Sequence, residues 1–214
     1  MLLIISRAKN GIVSHLPQLC LSLRERKIPY IITKKCDPAL IRRKDVNGII
    51  LPGAEYRIHP EEQDDDLELE LYYLFHFPKL PVLGLCHGCQ LLMTYYGGDL
   101  IQYSNFWIGS KDIELDLSRD KIFRDEERHQ KIHVYFHDLP VMTPKAAKAG
   151  VREIAWITKF RDGKRRACAF EFEKDRVYGF MFHPEGKKET RSILYNFYDN
   201  ICVPASASSS SSSS

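Results

Sequence analysis

The sequence predicts an α/β protein with an open, mostly parallel sheet flanked by helices on both faces. The first half of the chain alternates short apolar runs with stretches of helical spacing, which is typical of parallel strands joined by crossover helices. The 214 residues, of which 44% are hydrophobic and 28% charged, suit one globular domain with a substantial core.

The individual elements follow from the period of the apolar residues. Short apolar runs predict strands at 2–6, 29–33, 48–52 and 81–85. Apolar residues at helical spacing predict helices near 14–26, 37–43, 61–77 and 87–96. The helix at 61–77 begins with an acidic stretch that suits the positive end of a helix. We interpret those acids as solvated, because consecutive carboxylates cannot converge on one metal ion.

Shorter β-like stretches follow residue 99. They are expected at 111–117, 131–137, 152–160, 166–172 and 177–182, and a helix over 188–201 closes the fold. The polar serine-rich end of the chain predicts disorder, since it cannot pack. We therefore predict one domain over 1–202 and a disordered tail over 203–214.

Cys86 lies where a predicted strand turns into a helix. Gly84 and Gly88 flank it and complete the Gly-x-nucleophile-x-Gly pattern of a nucleophile elbow. The free N–H groups and dipole at the start of the helix stabilise a thiolate. This context favours a reactive thiol, although most free cysteines simply fill the core.

A second candidate group lies at the end of the strand predicted over 177–182. There the sequence reads His183-Pro184-Glu185, and Pro184 biases His183 toward an extended backbone. Side chains two apart on an extended segment project to the same side. One strand end can therefore supply a base for the thiol proton and a carboxylate that orients the base. Cys86, His183 and Glu185 are the candidate catalytic triad.

These motifs resemble those of the class I glutamine amidotransferases. The resemblance rests on G-x-C-x-G-x-Q-L-L at 84–92 and G-x-x-F-H-P-E at 179–185, and it extends from the first strand to about Ile201. It implies the flavodoxin-like three-layer fold, with a smaller antiparallel β element after residue 99. The segments at 95–99 and 137–138 look most like the glutaminase domain or subunit of GMP synthetase.

The resemblance also implies roles outside the triad. The run at 48–53 resembles the family's strand and glycine-rich oxyanion loop, so N–H donors are expected at Gly53, Ala54 and His87. Substrate contacts are expected at Gln90, Phe136 and His137. The family usually has a second glycine where this chain has Ala54. If that position required a positive φ, Ala54 would be strained.

The implied activity is hydrolysis of L-glutamine, or of another γ-glutamyl compound, through a thioester on Cys86. The 214 residues contain no P-loop or other nucleotide signature, so the ammonia would pass to a synthetase subunit in trans. A stand-alone γ-glutamyl hydrolase and a catalytically muted regulatory or binding homologue are the alternatives. The Cys86-x-x-Cys89 spacing at a helix start also permits a thioredoxin-like role or an oxidation-sensitive switch.

Composition gives no sign of a nucleic-acid or membrane partner. The net charge of +3 gives no reason to expect nucleic acid, and no apolar run approaches the ~20 residues of a membrane span. Six scattered cysteines lack the spacing of a disulfide scaffold, which favours the cytoplasm. No cofactor is expected. No metal site is expected either, because His133 and His137 would share one side of a strand without a clear third ligand.

Overall fold

The computed structural model describes residues 1–7, 15–54, 58, 68–160 and 162–203, without the side chains of 104–107 and 135–137. The predicted serine-rich tail from residue 204 lies outside this description, as do residues 61–67 of the predicted helix at 61–77. Within the described ranges, the helices are all too short or too polar to cross a membrane.

Nine strands of the described residues form one hydrogen-bonded sheet. In chain order they are β1 (Leu2–Ile5), β2 (Tyr30–Thr33), β3 (Gly48–Leu51), β4 (Val82–Leu85), β5 (Asp99–Leu115), β6 (His129–Val141), β7 (Arg152–Ile157), β8 (Arg166–Glu173) and β9 (Val177–Phe180). Their order across the sheet is β2-β1-β3-β4-β9-β8-β7-β5-β6. Counted across the sheet, the five strands β2-β1-β3-β4-β9 pair in parallel. The pairs that join β9, β8, β7, β5 and β6 are antiparallel.

Helices connect and cover these strands. They are α1 (Leu16–Glu25), α2 (Glu68–His76), α3 (His87–Tyr95), α4 (Pro144–Lys148) and α5 (Ser192–Asn196), and α5 continues as a π-helical segment, Phe197–Cys202. The β1–α1–β2 and β3–α2–β4 connections run toward opposite edges of the sheet. Because such crossovers are right-handed, α1 and α2 lie on opposite faces. The predicted fold class is confirmed, and the antiparallel strands continue the parallel sheet.

The described elements differ from the predicted ones mainly after residue 99. Strands β5 and β6 form a long hairpin that begins with the pair Asp99 and Val141, well outside the predicted limits of 111–117 and 131–137. Helix α4 was not predicted. The predicted helix at 37–43 is only a 3₁₀ turn, Leu40–Arg42, and the predicted helix at 188–201 begins with another, Lys188–Thr190.

Four strands of the parallel part of the sheet are the most completely buried. Strands β1, β3, β4 and β9 are buried at every position, as expected of strands that are covered on both faces. The carboxyl ends of β3, β4 and β9 lie side by side, because these strands are neighbours and parallel. In open α/β sheets the ligand site lies at such strand ends.

Two glycines allow α3 to approach the sheet closely. A Cβ added to Gly88 would lie 2.1 Å from the carbonyl oxygen of Leu51, and one added to Gly84 would lie 2.6 Å from the backbone of Gly88. Neither glycine is among those with positive φ. The turn therefore requires glycine at these positions because a side chain would not fit. It does not require the positive φ that glycine allows.

We expect the substitution Gly88→Ala to destabilise the protein. The added methyl group cannot move away from the Leu51 carbonyl without shifting α3, so the free energy of unfolding should fall by about 1–3 kcal/mol. Urea denaturation measures this loss. Gly186→Ala is the matched control, since its added Cβ would meet only His183 Cβ, at an ordinary 3.8 Å. Equal losses in the two variants would contradict the packing explanation.

Candidate active site

Cys86 occupies a strained backbone conformation at the junction of β4 and α3. Its φ is 49° and its ψ is −102°, a combination that costs roughly 1–3 kcal/mol for a residue other than glycine. Two hydrogen bonds hold it: the Cys86 N–H donates to the Phe180 carbonyl oxygen (2.7 Å), and the Gln90 N–H donates to the Cys86 carbonyl oxygen (3.0 Å). The sheet and the helix together maintain the strained elbow.

The loop after β3 lies against both the elbow and the end of β9. A Cβ added to Gly53 would be 3.1 Å from Cε1 of His183 and 3.6 Å from Cβ of Cys86. The His183 ring also makes a side-chain hydrogen bond with Cys86. Three neighbouring strand ends therefore bring Gly53, Cys86 and His183 into contact.

His183 and Glu185 pair through a short turn. The distance between His183 Nδ1 and Glu185 Oε1 is 2.9 Å, and the two residues are only 4% and 1% exposed. The prediction of an extended segment is wrong here, because Pro184–Gly186 form a 3₁₀ turn. This turn is fixed by the bond from the Gly186 N–H to the His183 carbonyl oxygen (3.0 Å) and by that from Thr190 Oγ1 to the Pro184 carbonyl oxygen (2.9 Å).

The electrostatic surroundings of His183 favour its protonated form. Burial alone would lower the pKa of His183, but the Glu185 carboxylate and the hydrogen bonds with Cys86 and Glu185 outweigh burial and raise the pKa to about 10. Glu185 Oε2 is buried and accepts no hydrogen bond from the described residues. The carboxylate charge is therefore directed mainly at His183. A protonated imidazole in this position stabilises a thiolate on Cys86.

His87 follows Cys86 as the first residue of α3. A backbone N–H at this position has no acceptor within its own helix, so it is available to a ligand. The side chain is buried, and burial together with the positive charge of Arg7 lowers the pKa of His87 to about 4. The imidazole of His87 is therefore neutral, and Arg7 is itself paired with Glu70 through two contacts of 2.5 Å.

Ala54, which follows Gly53, does not have the positive φ that would strain an alanine. The described non-glycine residues with positive φ are Lys27, Cys86, Asp125 and Asp175, and Ala54 is not among them. The conformation of this loop thus accommodates an alanine. Whether its N–H serves as an oxyanion donor stays a prediction.

The predicted substrate contacts lie partly outside the description. Gln90 is buried, and its Nε2 donates to the Asp138 carbonyl oxygen (2.9 Å), which ties α3 to β6. The backbone of Phe136 pairs with that of Trp107 in the β5–β6 hairpin, but the side chains of Phe136 and His137 lie outside the described residues. Their contacts with a substrate stay predictions.

His15 belongs to this site and was missed in the sequence. Its ring lies 3.8 Å, centroid to centroid, from that of His183, with a tilt of 32°. Of the described residues, His15, His183 and Glu185 form a group whose potential metal-ligating atoms all lie within 4.8 Å of one another. No motif marks His15, because it precedes α1, far from the other site residues in the sequence. Only its place at the end of the first β–α connection could have pointed to it.

Cys89 lies in the core, in surroundings that do not suit a thiol that exchanges disulfides with Cys86. It is fully buried against β9, where a Cβ on Gly179 would lie 2.8 Å from Cys89 Sγ. Burial and the neighbouring Cys86 and Cys168 raise the pKa of the Cys89 thiol well above its usual value. Thiol–disulfide exchange requires a thiolate, so this environment disfavours the redox alternative.

Comparison with known proteins agrees with the fold. The parallel sheet and the contact of Cys86 with a histidine that is paired with a carboxylate are together typical of α/β proteins with a Cys-His-carboxylate site. The sequence profile described as Glutamine amidotransferase class-I matches residues 13–201, and the chain belongs to this family.

Among individual proteins, the chain is similar to GMP synthases. The glutamine-hydrolysing GMP synthase of Borreliella burgdorferi strain N40 is 28% identical over 184 residues, which cover 82% of this chain and 31% of the relative. The chain thus spans about a third of the length of the curated relatives it matches.

Solved structures show the same fold at lower identity. A Thermoplasma acidophilum protein whose name describes it as a GMP synthase subunit superposes with a TM-score of 0.71 at 19% identity, covering 94% of this chain and 92% of that one. The glutaminase domain of Trypanosoma brucei CTPS, solved with acivicin bound, has a TM-score of 0.66 at 12% identity and coverages of 95% and 96%.

We expect Glu185→Gln to slow the alkylation of Cys86 by iodoacetamide. Without the carboxylate the pKa of His183 falls, the thiolate–imidazolium pair loses stability, and alkylation near pH 7 should slow about tenfold for each pKa unit lost. The difference should shrink at high pH, where the thiol ionises without its partner. Mass spectrometry of the Cys86 peptide measures the rate. Exposed Glu189 supplies the control, Glu189→Gln, and an equal effect there would contradict the pairing.

Proposed function

We propose that this chain is a glutaminase unit that hydrolyses the side-chain amide of glutamine to glutamate and ammonia. The observation that carries the proposal is the contact of Cys86, His183 and Glu185 at two adjoining strand ends and one turn. A thiol, a base and an orienting carboxylate in this relation are the parts required for acyl transfer to cysteine.

In the first half of the proposed reaction, the Cys86 thiolate attacks the carboxamide carbon of glutamine. A C–S bond forms, and the carbonyl oxygen becomes an oxyanion. His183, which holds the thiol proton, gives that proton to the amide nitrogen as the C–N bond breaks. Ammonia leaves, and a γ-glutamyl thioester remains on Cys86. Glu185 keeps the imidazole oriented throughout by accepting a hydrogen bond from its Nδ1.

In the second half, neutral His183 takes a proton from water as the water oxygen attacks the thioester carbon. The C–S bond breaks, glutamate leaves, and the proton on His183 again faces the thiolate of Cys86. No oxidant, metal or cofactor enters this sequence of steps. The buried position of His183 and Glu185 supports it, since the Glu185 carboxylate attracts the positive charge that forms on His183 more strongly in a desolvated site.

The oxyanion requires preorganised N–H donors, each worth about 3–4 kcal/mol when removed. We assign this role to the His87 N–H at the start of α3 and to the loop at Gly53 and Ala54, which touches both reacting side chains. Gln90, Phe136 and His137 are proposed to line the substrate pocket.

The ammonia is proposed to serve a synthetase that lies outside this chain. The relatives named GMP synthase are about three times longer than the matched region, which leaves room in them for a second activity. A partner in trans would then receive the ammonia here. We place the reaction in the cytoplasm, in keeping with six free cysteines.

Labelling with 6-diazo-5-oxo-norleucine, a glutamine analogue, tests the nucleophile. We expect one adduct, located on Cys86 by mass spectrometry, together with glutamate and ammonia release from glutamine by the unlabelled protein. Cys86→Ala should lose both the adduct and at least about 10³-fold in turnover. Exposed Cys36 provides the matched control, because Cys36→Ala should keep both. An adduct on another cysteine, or none, would contradict the proposal.

The same assay distinguishes the alternative activities. Glutamine turnover that rises when a synthetase is added supports supply in trans. Cleavage of γ-glutamyl conjugates with little glutamine turnover would instead indicate a stand-alone γ-glutamyl hydrolase. A protein with neither activity and no adduct would be a muted binding homologue.

We expect Gly53→Ala to lower kcat more than it raises KM. The added Cβ would press on His183 Cε1 from 3.1 Å, so the ring must shift by a few tenths of an ångström relative to Cys86. Such displacements of a reacting group reduce rates by about 10–100-fold. Steady-state kinetics measure the effect, with Gly186→Ala as the control at 3.8 Å from His183 Cβ. An unchanged kcat would show that the loop does not constrain the imidazole.

A further inference from the structure

The ring of His15 covers one face of the His183 imidazole. The two centroids are 3.8 Å apart and the planes are tilted by 32°, so the rings are stacked. Glu185 binds His183 at Nδ1, and Cys86 bonds the same ring. These two contacts and the stacked ring thus restrain different parts of the imidazole.

The position of His15 is set by α1. His15 immediately precedes this helix, and its carbonyl oxygen accepts the first helical hydrogen bond, from the Leu19 N–H (2.9 Å). Helix α1 packs against the turn Pro184–Gly186 that carries Glu185. It is also tied to the C-terminal helical segment by the ion pair of Glu25 with Arg191 (2.5 Å). The stacked ring is therefore mounted on a rigid element.

His15 contributes a neutral ring. Burial lowers the pKa of His15 to about 4, with a further contribution from the charge of His183. The titratable groups that face it are His183 and Glu185 from the same turn and His133 from β6, while Cys86 faces His183. A neutral aromatic face attracts a cation, and a second charge there would repel it. The tilted stack of the two rings places the His15 ring where it can play this part.

We propose that His15 is a positioning residue, whose neutral ring holds the His183 imidazole against Cys86 and stabilises its protonated form by stacking. The inference rests on the proposed function, since it concerns the same triad. Cys86 must lose its proton to His183 before it attacks. A restrained, stacked imidazole accepts this proton more readily than one that is free to rotate out of contact.

The test measures alkylation of Cys86 by iodoacetamide between pH 5 and 9, with the site located by mass spectrometry. In His15→Ala the pH midpoint of alkylation should rise by about half a unit to one unit, since one unit corresponds to a tenfold change in the pairing equilibrium. His15→Lys should raise it further by repulsion. His15→Phe, which restores a neutral ring, should return the midpoint most of the way. Glutamine kinetics should show a lower kcat in His15→Ala with KM nearly unchanged.

The controls separate this role from a loss of folding. His76→Ala removes an exposed histidine on α2 and should leave the midpoint in place, and thermal melts monitor the fold of each variant. Midpoints in His15→Ala or His15→Lys that equal the parent value would overturn the inference, as would a His15→Phe variant as impaired as His15→Ala. A parent protein without glutamine turnover would contradict the proposed function alone, because alkylation reports the thiol–imidazole pair directly.

Discussion

The parallel pairing of β4 with β9 is the constraint on which the site depends. Leu85 at the end of β4 stands opposite Phe180 at the end of β9, and the Phe180 carbonyl then accepts the N–H of Cys86. This bond extends the ladder by one residue into the elbow and holds its unfavourable φ. It also fixes how far His183 lies from the thiol, since only two residues separate His183 from Phe180.

Few charged groups act on the contact between Cys86 and His183. The buried Glu185 carboxylate is hydrogen-bonded to the His183 imidazole, and the neighbouring rings of His15 and His87 are neutral because burial lowers their pKa values to about 4. The positively charged Arg7 forms an ion pair with Glu70. Within the described residues, the proton shared by Cys86 and His183 therefore responds chiefly to Glu185, and the helix N-terminus at Cys86 adds to the same effect.

The sequence predicted the parallel strands and the triad because both leave local signals. Buried strands appear as apolar runs, and Cys86 and His183 carry distinctive neighbours. The length of the β5–β6 hairpin left no such signal. Its outer pairs join segments in which apolar and polar residues do not alternate, and one of these segments contains Pro140. The stacking of His15 depends on packing between α1 and a distant turn. The backbone of Ala54 shows that a sequence departure need not produce strain, because φ is set by the whole loop.

The place of β9 in the sheet has a consequence for how the protein is made. This strand is the last of the nine described strands in chain order, yet it sits between β4 and β8 in the middle of the sheet. During synthesis β4 therefore waits with an unpaired edge until residues 177–180 have left the ribosome. Such long-range pairing slows folding and leaves an edge open to association with other chains. It also means that Cys86 has neither the Phe180 carbonyl that holds its backbone nor the His183 ring beside it until this strand has been made.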